Sequence, residues 1–551
     1  MKNVKFFKKI PLGFVIVVLL SIVPLSDLLH VGLPITHDGT DHVARIANFY
    51  NGLSEGIFFP RWAQNLNWGY GHPILMFLYP LSSYFASLFH FLGFSFVDSL
   101  KIVFGLGFIA SGVTMYFWAR NQFNEYAAIA AAALYLYSPY RFVDLYVRGA
   151  IGEHMAFIFP PLILYFILKF FKENEKIKEY HYFLGISISF GLFLLSHNAI
   201  SLMFIPFIFI YTVILLFTSK KKKLLYAFVA LSAGFLLSAF FTIPSFFEGK
   251  FTLRDIVTSG EYKSRFVNLL ALIYGPWNYG GSGVFSVQLG IVNLISLILL
   301  PITFFRLKKN ILPTRILLIT LICFMVSIFL MLPQSDFLYR IITTLQKFQF
   351  PWRFLSLSIF TLSVFGACFV FTLKNNTYRK IALVVIIVLV LATTSTYWKA
   401  KDFGVKPENY YSNVYYGTTD TGESAPIWSV RFMEKEAKAH MEIFDGKALI
   451  SEISRNSIKH SYKVSVLSDK ALVKDNTVYF PSWTVFANGK KIPIQFQDPN
   501  QRGLITFSLS KGEYNVDVIF KDTKLRIVSN LISVLTAVFL IVAGLVYSRK
   551  K

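Results

Sequence analysis

Two carboxylates and two histidines lie within six residues near the start of the chain: His37, Asp38, Asp41 and His42. They follow an apolar run, 11–29, which is close to the roughly 20 apolar residues that a bilayer crossing needs. Charged side chains are costly at a membrane boundary, so this cluster predicts a functional site. The alternative is a solvated helix cap, because Asp is common in the first turn of a helix.

The residues after this cluster fit an amphipathic helix that lies along the membrane. Within residues 40–53, apolar side chains recur at helical spacing on one face: Val43, Ile46, Phe49 or Tyr50, and Leu53. The pattern therefore predicts a helix with Asp38 just ahead of its first turn.

A second group of charges lies in residues 139–153, at Arg141, Asp144, Arg148 and Glu153. Arginine binds phosphate through a planar fork of donors. A carboxylate near such an arginine suits transfer from a lipid phosphate. The carboxylate takes a proton from the acceptor, and the arginines hold the departing phosphate. For Arg141 and Arg148 the alternative is contact with lipid headgroups.

The histidines give no strong metal signal. For His37, His42 and His197, a hydrogen-bonded histidine at the interface is favoured over a metal ligand. Asp38 and His42 stand four residues apart and could share a divalent cation, but a lone pair is weak evidence for one. We therefore predict no metal site and no cofactor, with a divalent metal left open.

The composition indicates a polytopic membrane protein. Of the 551 residues 55% are hydrophobic, with 59 Phe and 29 Tyr, and the mean hydropathy is +0.54. The formal net charge of +24 does not indicate nucleic-acid binding, because most cations lie in short stretches between apolar runs. Cys323 and Cys368 both fall inside apolar runs and are interpreted as core thiols.

The cation clusters predict the topology. They are Lys2, Lys5, Lys8 and Lys9; Lys169, Lys172, Lys176 and Lys178; Lys220 to Lys223; Arg306, Lys308 and Lys309; Lys374, Arg379 and Lys380; and Arg549, Lys550 and Lys551. All are expected on the cytoplasmic side. Twelve spans satisfy this: 11–30, 97–119, 125–139, 154–171, 181–198, 200–218, 224–243, 286–305, 312–332, 354–373, 381–398 and 525–547. Both termini are then cytoplasmic in a multi-pass protein of the cell membrane.

The predicted organisation has three parts. Residues 1–398 form a helical transmembrane module with four loops on the outer side, at 31–96, 139–153, 244–285 and 333–353. Residues 399–524 alternate polar and apolar positions between turn signals such as Asn488-Gly489, which predicts an extracytoplasmic β-sandwich-like domain. Residues 525–551 form a last transmembrane helix and a basic tail. The stretch 73–93 is interpreted as interfacial or re-entrant, although it is long enough to cross.

Several short motifs carry a family resemblance. They are His37-Asp-Gly-Thr-Asp-His42, Phe59-Pro-Arg-Trp62, Gly69-Tyr-Gly-His-Pro73, Tyr146-Val-Arg-Gly149 with Gly152-Glu153, Ser196-His-Asn198 and Phe350-Pro-Trp-Arg353. In this order they resemble the bacterial multispanning proteins with the "6-pyruvoyl-tetrahydropterin synthase-related" membrane domain, over roughly residues 10–400. The overall pattern is similar to glycosyltransferases of the GT-C superfold. The tail, from Tyr479 to Gly489 and beyond, resembles the outer β domain of YfhO-like proteins.

The resemblance implies transfer of a sugar from a polyprenyl-phosphate donor to an envelope acceptor, which can be a cell-wall polymer, a lipid or a protein. Asp38 would be the general base or a metal ligand, supported by His42 and Glu153. Candidates for substrate binding are Asp41, Arg141, Asp144, Arg148, His197 and Arg353. An Asp-x-Asp pair in the second loop, which the metal-dependent branch of the superfold uses, is absent here. The expected partners are the donor, the acceptor and membrane lipids, without nucleic acid.

Two other classes stay open. A transporter or flippase of a lipid-linked substrate would need polar residues along a path through the spans. The acids here lie in loops instead, which favours an enzyme. A non-catalytic membrane scaffold whose β domain binds glycan would tolerate a change at Asp38, whereas an enzyme would not.

Overall fold

The structure is a computed structural model that describes residues 11–216, 221–280, 285–307 and 310–549. Some cations behind the topology prediction lie outside these residues, namely Lys2, Lys5, Lys8, Lys9, Lys220, Lys308, Lys309, Lys550 and Lys551. Sidedness of the membrane therefore stays a prediction.

Helices form along all twelve apolar runs. The helices are α1 Leu12–Ile22, α2 Gly39–Ser54, α3 Leu81–Phe91, α4 Phe96–Gln122, α5 Glu125–Leu136, α6 Pro139–Phe142, α7 Ile151–Ala156, α8 Phe159–Lys172, α9 Lys176–Ser196, α10 Asn198–Leu215, α11 Lys221–Leu237, α12 Ala239–Phe247, α13 Arg254–Val257, α14 Leu269–Ile273, α15 Ile291–Ile298, α16 Leu300–Leu307, α17 Ile311–Met331, α18 Asp336–Ile341, α19 Thr343–Gln346, α20 Leu355–Thr372, α21 Asn376–Thr394, α22 Asn409–Ser412 and α23 Lys524–Arg549.

Within the described residues, eight helical segments are long and apolar enough to cross a bilayer, or nine if the bent pair α11 and α12 counts as one span. The predicted helical membrane architecture is confirmed, and the count of twelve crossings stays a prediction. Helix α5 is short for a predicted crossing, since its 12 residues rise only about 18 Å. Its alanines are fully buried between α4 and α20, so this helix is enclosed by protein instead of lipid.

The stretch 73–93 forms no helix of spanning length. It contains a 3-10 turn at Pro73–Met76 and then α3, whose 11 residues rise about 16 Å. The interpretation of this stretch as interfacial or re-entrant stays a prediction.

The predicted amphipathic helix is present as α2. Its apolar residues Val43, Ile46 and Phe49 are buried, but so are Arg45 and Asn48 on other faces. The neighbouring elements are α3, α4 and, from far along the chain, α22. Protein therefore covers α2 on more than one face.

An antiparallel β domain precedes the last helix, as predicted. Its strands are β3 Met441–Asp445, β4 Ala448–Arg455, β5 Lys459–Val478, β6 Trp483–Ala487, β7 Lys490–Ile492 and β8 Leu504–Phe520, after a short pair β1 Leu33–Pro34 and β2 Phe403–Gly404. The main sheet has the order β3-β5-β8-β6-β7, and β4 pairs with the first half of β5. Register shifts in the β5–β8 pairing divide these long strands, and side chains from both halves form one apolar core.

Residues of the first loop, 31–96, complete this core. Trp62 lies 5.3 Å from Trp483 between ring centroids, in an edge-to-face arrangement, and it also packs on Phe520. Gly71 has φ +79°, and a Cβ there would lie 2.6 Å from the Trp62 indole, so this turn requires glycine. Two of the motifs that carry the family resemblance, at 59–62 and 69–73, therefore join the β domain to the first loop.

A group of paired charges fixes the end of the β domain to the helices. We call it the clamp: Arg61, Glu248, Asp522, Arg526 and Asn530. Arg526 Nε donates to Glu248 at 2.8 Å, and Arg61 Nη1 donates to both oxygens of Asp522 at 3.1 and 3.2 Å. Arg61 Nη2 also donates to Asn530 at 2.8 Å. The clamp links the first loop, the end of α12 and the start of α23.

Candidate active site

Backbone hydrogen bonds join the first loop to the second loop, 139–153. The amides of His37 and Asp38 donate to the carbonyls of Val147 and Arg148 at 3.0 and 2.9 Å. Gly149 follows with φ +68°, and a Cβ there would lie 2.3 Å from the Thr36 hydroxyl oxygen. The close approach requires glycine, and it brings the two predicted groups of acids together.

Asp38 occupies the position before the first turn of α2 but does not cap it. The Asp38 side chain accepts no hydrogen bond from the helix, and the Gly39 amide donates instead to Thr36 Oγ1 at 3.1 Å. The carboxylate is half-buried, with no hydrogen bond or ion pair to any described residue. A capping aspartate would bind an amide of the first turn, so the helix-cap reading does not account for this side chain.

Glu153 is the centre of a buried group of charges that we call the site cluster: Tyr140, Asp144, Arg148, Glu153 and Arg353. Glu153 Oε1 accepts from Arg148 at 2.8 Å and from Arg353 at 2.9 Å, and its Oε2 accepts from the Tyr140 hydroxyl at 2.8 Å. Arg148 also donates to Asp144 Oδ1 at 2.6 Å. The structure thus joins four of the predicted site residues and adds Tyr140.

Two members of the site cluster lie in helical segments of spanning length. The segment Ile151–Lys172 includes Glu153 in its first turn, and the segment Pro351–Thr372 begins with the turn that carries Arg353. The predicted loops 139–153 and 333–353 therefore end a few residues earlier than expected. Both charges are tolerated because they are paired and lie at helix ends.

Asp144 differs from Glu153 in its pairing. Burial raises the pKa of Asp144 well above its usual value, the nearby Glu153 carboxylate adds to the rise, and Arg148 opposes it. Asp144 Oδ2 is buried without a hydrogen-bond partner among the described residues. Asp144 therefore leaves one hydrogen-bonding oxygen of the site cluster without a described partner.

His197 is neutral in this site. Its Nδ1 accepts from the Ile200 amide at 3.3 Å and caps α10, while its ring stacks on Tyr79 with centroids 4.8 Å apart. Burial lowers the pKa of His197 to about 3, so its 3.8 Å approach to Glu153 is not an ion pair. Burial likewise raises the pKa of Tyr79 to about 12.

A segment from far along the chain, residues 415–424, closes over α2. The Tyr415 hydroxyl donates to Asp41 at 2.8 Å, and Arg45 Nε donates to Thr419 Oγ1 at 3.3 Å. Burial raises the pKa of Asp41, and the charge of Asp38 adds to the rise. Sequence reasoning missed both Arg45 and this segment. Arg45 could have been predicted from its position one helical turn after His42. Nothing in the sequence of 415–424 indicates that this segment contacts α2.

Arg141 does not join the site cluster. Its fully buried guanidinium is surrounded by the rings of Phe108, Tyr135 and Phe157, the last with a centroid 4.0 Å away, and Nη2 donates to Ser111 at 2.8 Å. Its Nε and Nη1 have no hydrogen-bond partner among the described residues. His37 is exposed and lies 2.9 Å, through Nε2, from the Tyr279 carbonyl oxygen.

A small, mostly apolar pocket that we call the groove adjoins the junction of the two loops. Its walls are Leu28, Leu33, Pro34, Thr36, Gly39, Leu100, Lys101, Phe104, Leu145 and Gly149. Gly39 follows Asp38 directly, and Gly149 follows Arg148. The groove therefore places apolar walls from membrane helices beside the acid and the arginine.

The described residues contain no group of three or more His, Cys, Asp or Glu side chains arranged to hold a metal ion.

Residues 75–400, more than half of the chain, match the family described as "6-pyruvoyl-tetrahydropterin synthase related domain; membrane protein". An uncharacterized protein of Lactococcus lactis subsp. cremoris (strain MG1363) is 24% identical over 256 residues, which are 44% of this chain and 41% of the relative. The chain thus spans less than half the length of that relative.

Three solved structures are similar in part. The arabinofuranosyltransferase AftD from Mycobacteria has 13% identity and a TM-score of 0.46, covering 72% of this chain and 28% of AftD. The Archaeoglobus fulgidus oligosaccharyltransferase has 13% identity and a TM-score of 0.45, covering 77% and 62%. ArnT from Cupriavidus metallidurans, solved with undecaprenyl phosphate, has 13% identity and a TM-score of 0.39, covering 73% and 67%. Likenesses at this level assign no donor, acceptor or reaction to this chain.

Proposed function

The chain belongs to the membrane-protein family of the 6-pyruvoyl-tetrahydropterin synthase related domain, and we propose that it is a glycosyltransferase that uses a polyprenyl-phosphate-linked sugar. The sugar passes to an acceptor of the cell envelope at the outer face of the membrane. The family's description names a domain and assigns no reaction, so the proposal rests on the site.

The observation that carries the proposal is the carboxylate of Asp38, which pairs with no residue that the structure describes. It stands at a helix start that it does not cap, and two backbone hydrogen bonds hold its loop against Arg148. An acid kept without a partner beside a buried group of charges is suited to accept a proton from a bound hydroxyl.

The surroundings suit a lipid-linked donor. The mostly apolar side chains that line the groove beside Gly39 and Gly149 suit contact with a polyprenyl chain. Arg353 is the more exposed arginine of the site cluster, at 13% against 7% for Arg148, so it is the better placed to meet a phosphate. Glu153 and Asp144 orient the two arginines. Arg141 has no part in this proposal, because aromatic rings enclose it.

Asp38→Asn tests the proposal. Cells that lack the protein should accumulate a polyprenyl-phosphate-linked sugar, measured by mass spectrometry of extracted lipids, and the wild-type chain should clear it. General-base catalysis contributes typically ~100- to 10,000-fold, so the Asn variant should clear it at least ~100-fold more slowly at normal membrane levels. Glu153→Gln and Arg148→Ala should each slow it less.

Asp469→Asn is the matched control, since Asp469 is an exposed aspartate of the β domain. Clearance at the wild-type rate by Asp38→Asn, or no accumulating lipid-linked sugar, would contradict the proposal. A loss of clearance in wild-type membranes on adding a chelator would place a metal at the site.

We also propose that both termini are cytoplasmic and that the β domain is external. The single-sided clustering of cations supports this orientation. A reporter fused near Lys222 should read cytoplasmic and one near Asn488 external, and the opposite result at either position would refute it.

A further inference from the structure

His42 is held by Arg45 in a way that fixes its proton. Both residues are buried on α2, and Arg45 Nη1 lies 2.9 Å from His42 Nδ1. The guanidinium has only donors and stays protonated, so Nδ1 must be the acceptor of this bond. A neutral imidazole that accepts at Nδ1 carries its hydrogen on Nε2.

The ring is also kept neutral. Burial lowers the pKa of His42 well below its usual value, and the charges of Arg45 and Arg148 and the nearby His197 add to this, while the backbone of Gly149 opposes it. A second proton would have to sit on Nδ1, where Arg45 already donates. Arg45 therefore occupies the acceptor nitrogen Nδ1, and Nε2 carries the ring's one N–H.

The donor nitrogen is buried and only loosely engaged. His42 is 4% exposed, and its ring approaches the Gly149 backbone, which raises the pKa of the ring, but Nε2 does not reach hydrogen-bond geometry with any described residue. The groups that act on the ring from neighbouring elements are Arg148 and Gly149 of the second loop and His197 before α10. An N–H left unpaired in such a place costs free energy, and a bound oxygen would satisfy it.

Arg45 is itself oriented by a residue 374 positions later. Its Nε donates to Thr419 Oγ1 at 3.3 Å, and its Nη2 donates to the Thr419 carbonyl oxygen. Thr419 has φ +63°, which is uncommon for a residue other than glycine. The segment 415–424 thus holds the guanidinium that holds the histidine.

We propose that Arg45 is a positioning residue that fixes the Nε2–H form of His42, and that His42 donates from Nε2 to a phosphate oxygen of the lipid-linked donor. This inference rests on the proposed function. The acceptor hydroxyl gives its proton to Asp38, its oxygen bonds to the sugar C1, and the bond from C1 to the phosphate oxygen breaks with its electron pair on that oxygen. His42 holds the departing phosphate by a hydrogen bond and transfers no proton.

Two substitutions at His42 separate a donor from a base. The amide nitrogen of Gln can reach the place of Nε2, whereas that of Asn reaches only the place of Nδ1. His42→Gln should therefore keep clearance of the lipid-linked sugar within about tenfold of wild type. His42→Asn should lose about 100-fold, the lower value for removing one positioned donor. Equal rates in the two variants would overturn the donor role.

The tautomer gives a readout that is independent of activity. In the purified full-length protein labelled with 15N-histidine, the His42 signals, identified by their loss in His42→Gln, should show Nε2 protonated and Nδ1 bare. In Arg45→Met the neutral Nδ1-protonated ring, which lacks the Nε2 hydrogen, should become populated, and clearance should fall at neutral pH. Arg340→Met, at a 68% exposed arginine, is the matched control.

A wild-type His42 protonated at Nδ1, or a tautomer unchanged in Arg45→Met, would overturn the inference. Full clearance by His42→Asn alongside failure of Asp38→Asn would remove this role of His42 and leave the proposed function standing. If Asp38→Asn and His42→Asn both clear the sugar at the wild-type rate, the proposed function and this role of His42 are both wrong.

Discussion

The clamp and the site cluster are two groups of largely buried charged residues with different degrees of pairing. In the clamp, each arginine and acid is bonded: Arg526 to Glu248, and Arg61 to Asp522 and Asn530. Beside the site cluster, Asp38 lacks any described partner, and Asp144 Oδ2 and His42 Nε2 are buried and unpaired. Both groups bury charged side chains, so burial does not distinguish them. They differ because, of these two groups, polar atoms without a described partner are found only in and beside the site cluster.

The difference has a physical basis. A buried charge that only holds parts of a fold together is most stable when all its hydrogen bonds are made. A group that must bind a substrate or take its proton needs a free lone pair or N–H. The clamp is therefore interpreted as structural, and the region around Asp38 as the place where a ligand completes the bonding.

The largest expected effect is a loss of stability in the clamp. Arg526→Ala leaves Glu248 as a buried charge without its partner, and breaking a buried pair in this way costs about 3–5 kcal/mol. The thermal unfolding temperature in detergent should fall, and protease should cut the β domain sooner. Lys524→Ala, at an exposed position two residues earlier, should change neither. If Arg526→Ala unfolds at the wild-type temperature, the interpretation of the clamp as a structural group is wrong.

A smaller effect is expected within the site cluster. Glu153→Gln keeps an acceptor but removes the anion that Arg148 and Arg353 share, so the free energy of unfolding should fall by about 1–3 kcal/mol. Arg353→Ala combined with Glu153→Gln should cost less than the sum of the two single changes, because the pair is in contact. Strict additivity in this double-mutant cycle, measured by denaturation, would show that the residues act separately.

The third effect concerns pH and is comparable in size to the second. The folded pKa of His197, about 3, lies below its unfolded value of about 6.5, so the native state binds fewer protons. Its contribution to stability is complete above pH 6.5 and is lost as the pH falls toward 3, by up to about 1.4 kcal/mol per unit. His197→Asn, which keeps a capping acceptor for α10, should lose less stability than wild type between pH 7 and 5.

Arg526→Ala should keep the wild-type pH dependence, since arginine does not titrate in that range. Identical slopes in wild type and His197→Asn, from unfolding temperatures measured across the range, would show that this histidine does not titrate as expected.

Local patterns accounted for much of the architecture. Apolar runs predicted where helices form, and alternation with turn residues predicted the strands between Met441 and Phe520. The chemistry-bearing segments around Asp38 and Glu153 were also visible, because acids and arginines are rare next to apolar runs. Helix ends were less accurate, so Glu153 and Arg353 fell in predicted loops although they lie in the first turns of long helical segments.

Local sequence patterns did not predict contacts between residues that are far apart along the chain. Arg45 bonds to Thr419, Asp41 to Tyr415 and Arg61 to Asp522, each across more than 370 positions. The motif Phe59-Pro-Arg-Trp62 was taken as a family feature, and its arginine and tryptophan turned out to join the β domain to the first loop.

The sequence by itself determined the class of protein, most of its helices and strands, and the residue types available for chemistry, because these follow from hydrophobicity and short-range periodicity. The tertiary structure decided which of those residues are paired. Arg141 is enclosed by rings, Glu153 is bonded to two arginines and a tyrosine, and Asp38 has no partner in the described part of the chain. Pairing depends on where distant segments meet, and only the packed chain brings them together.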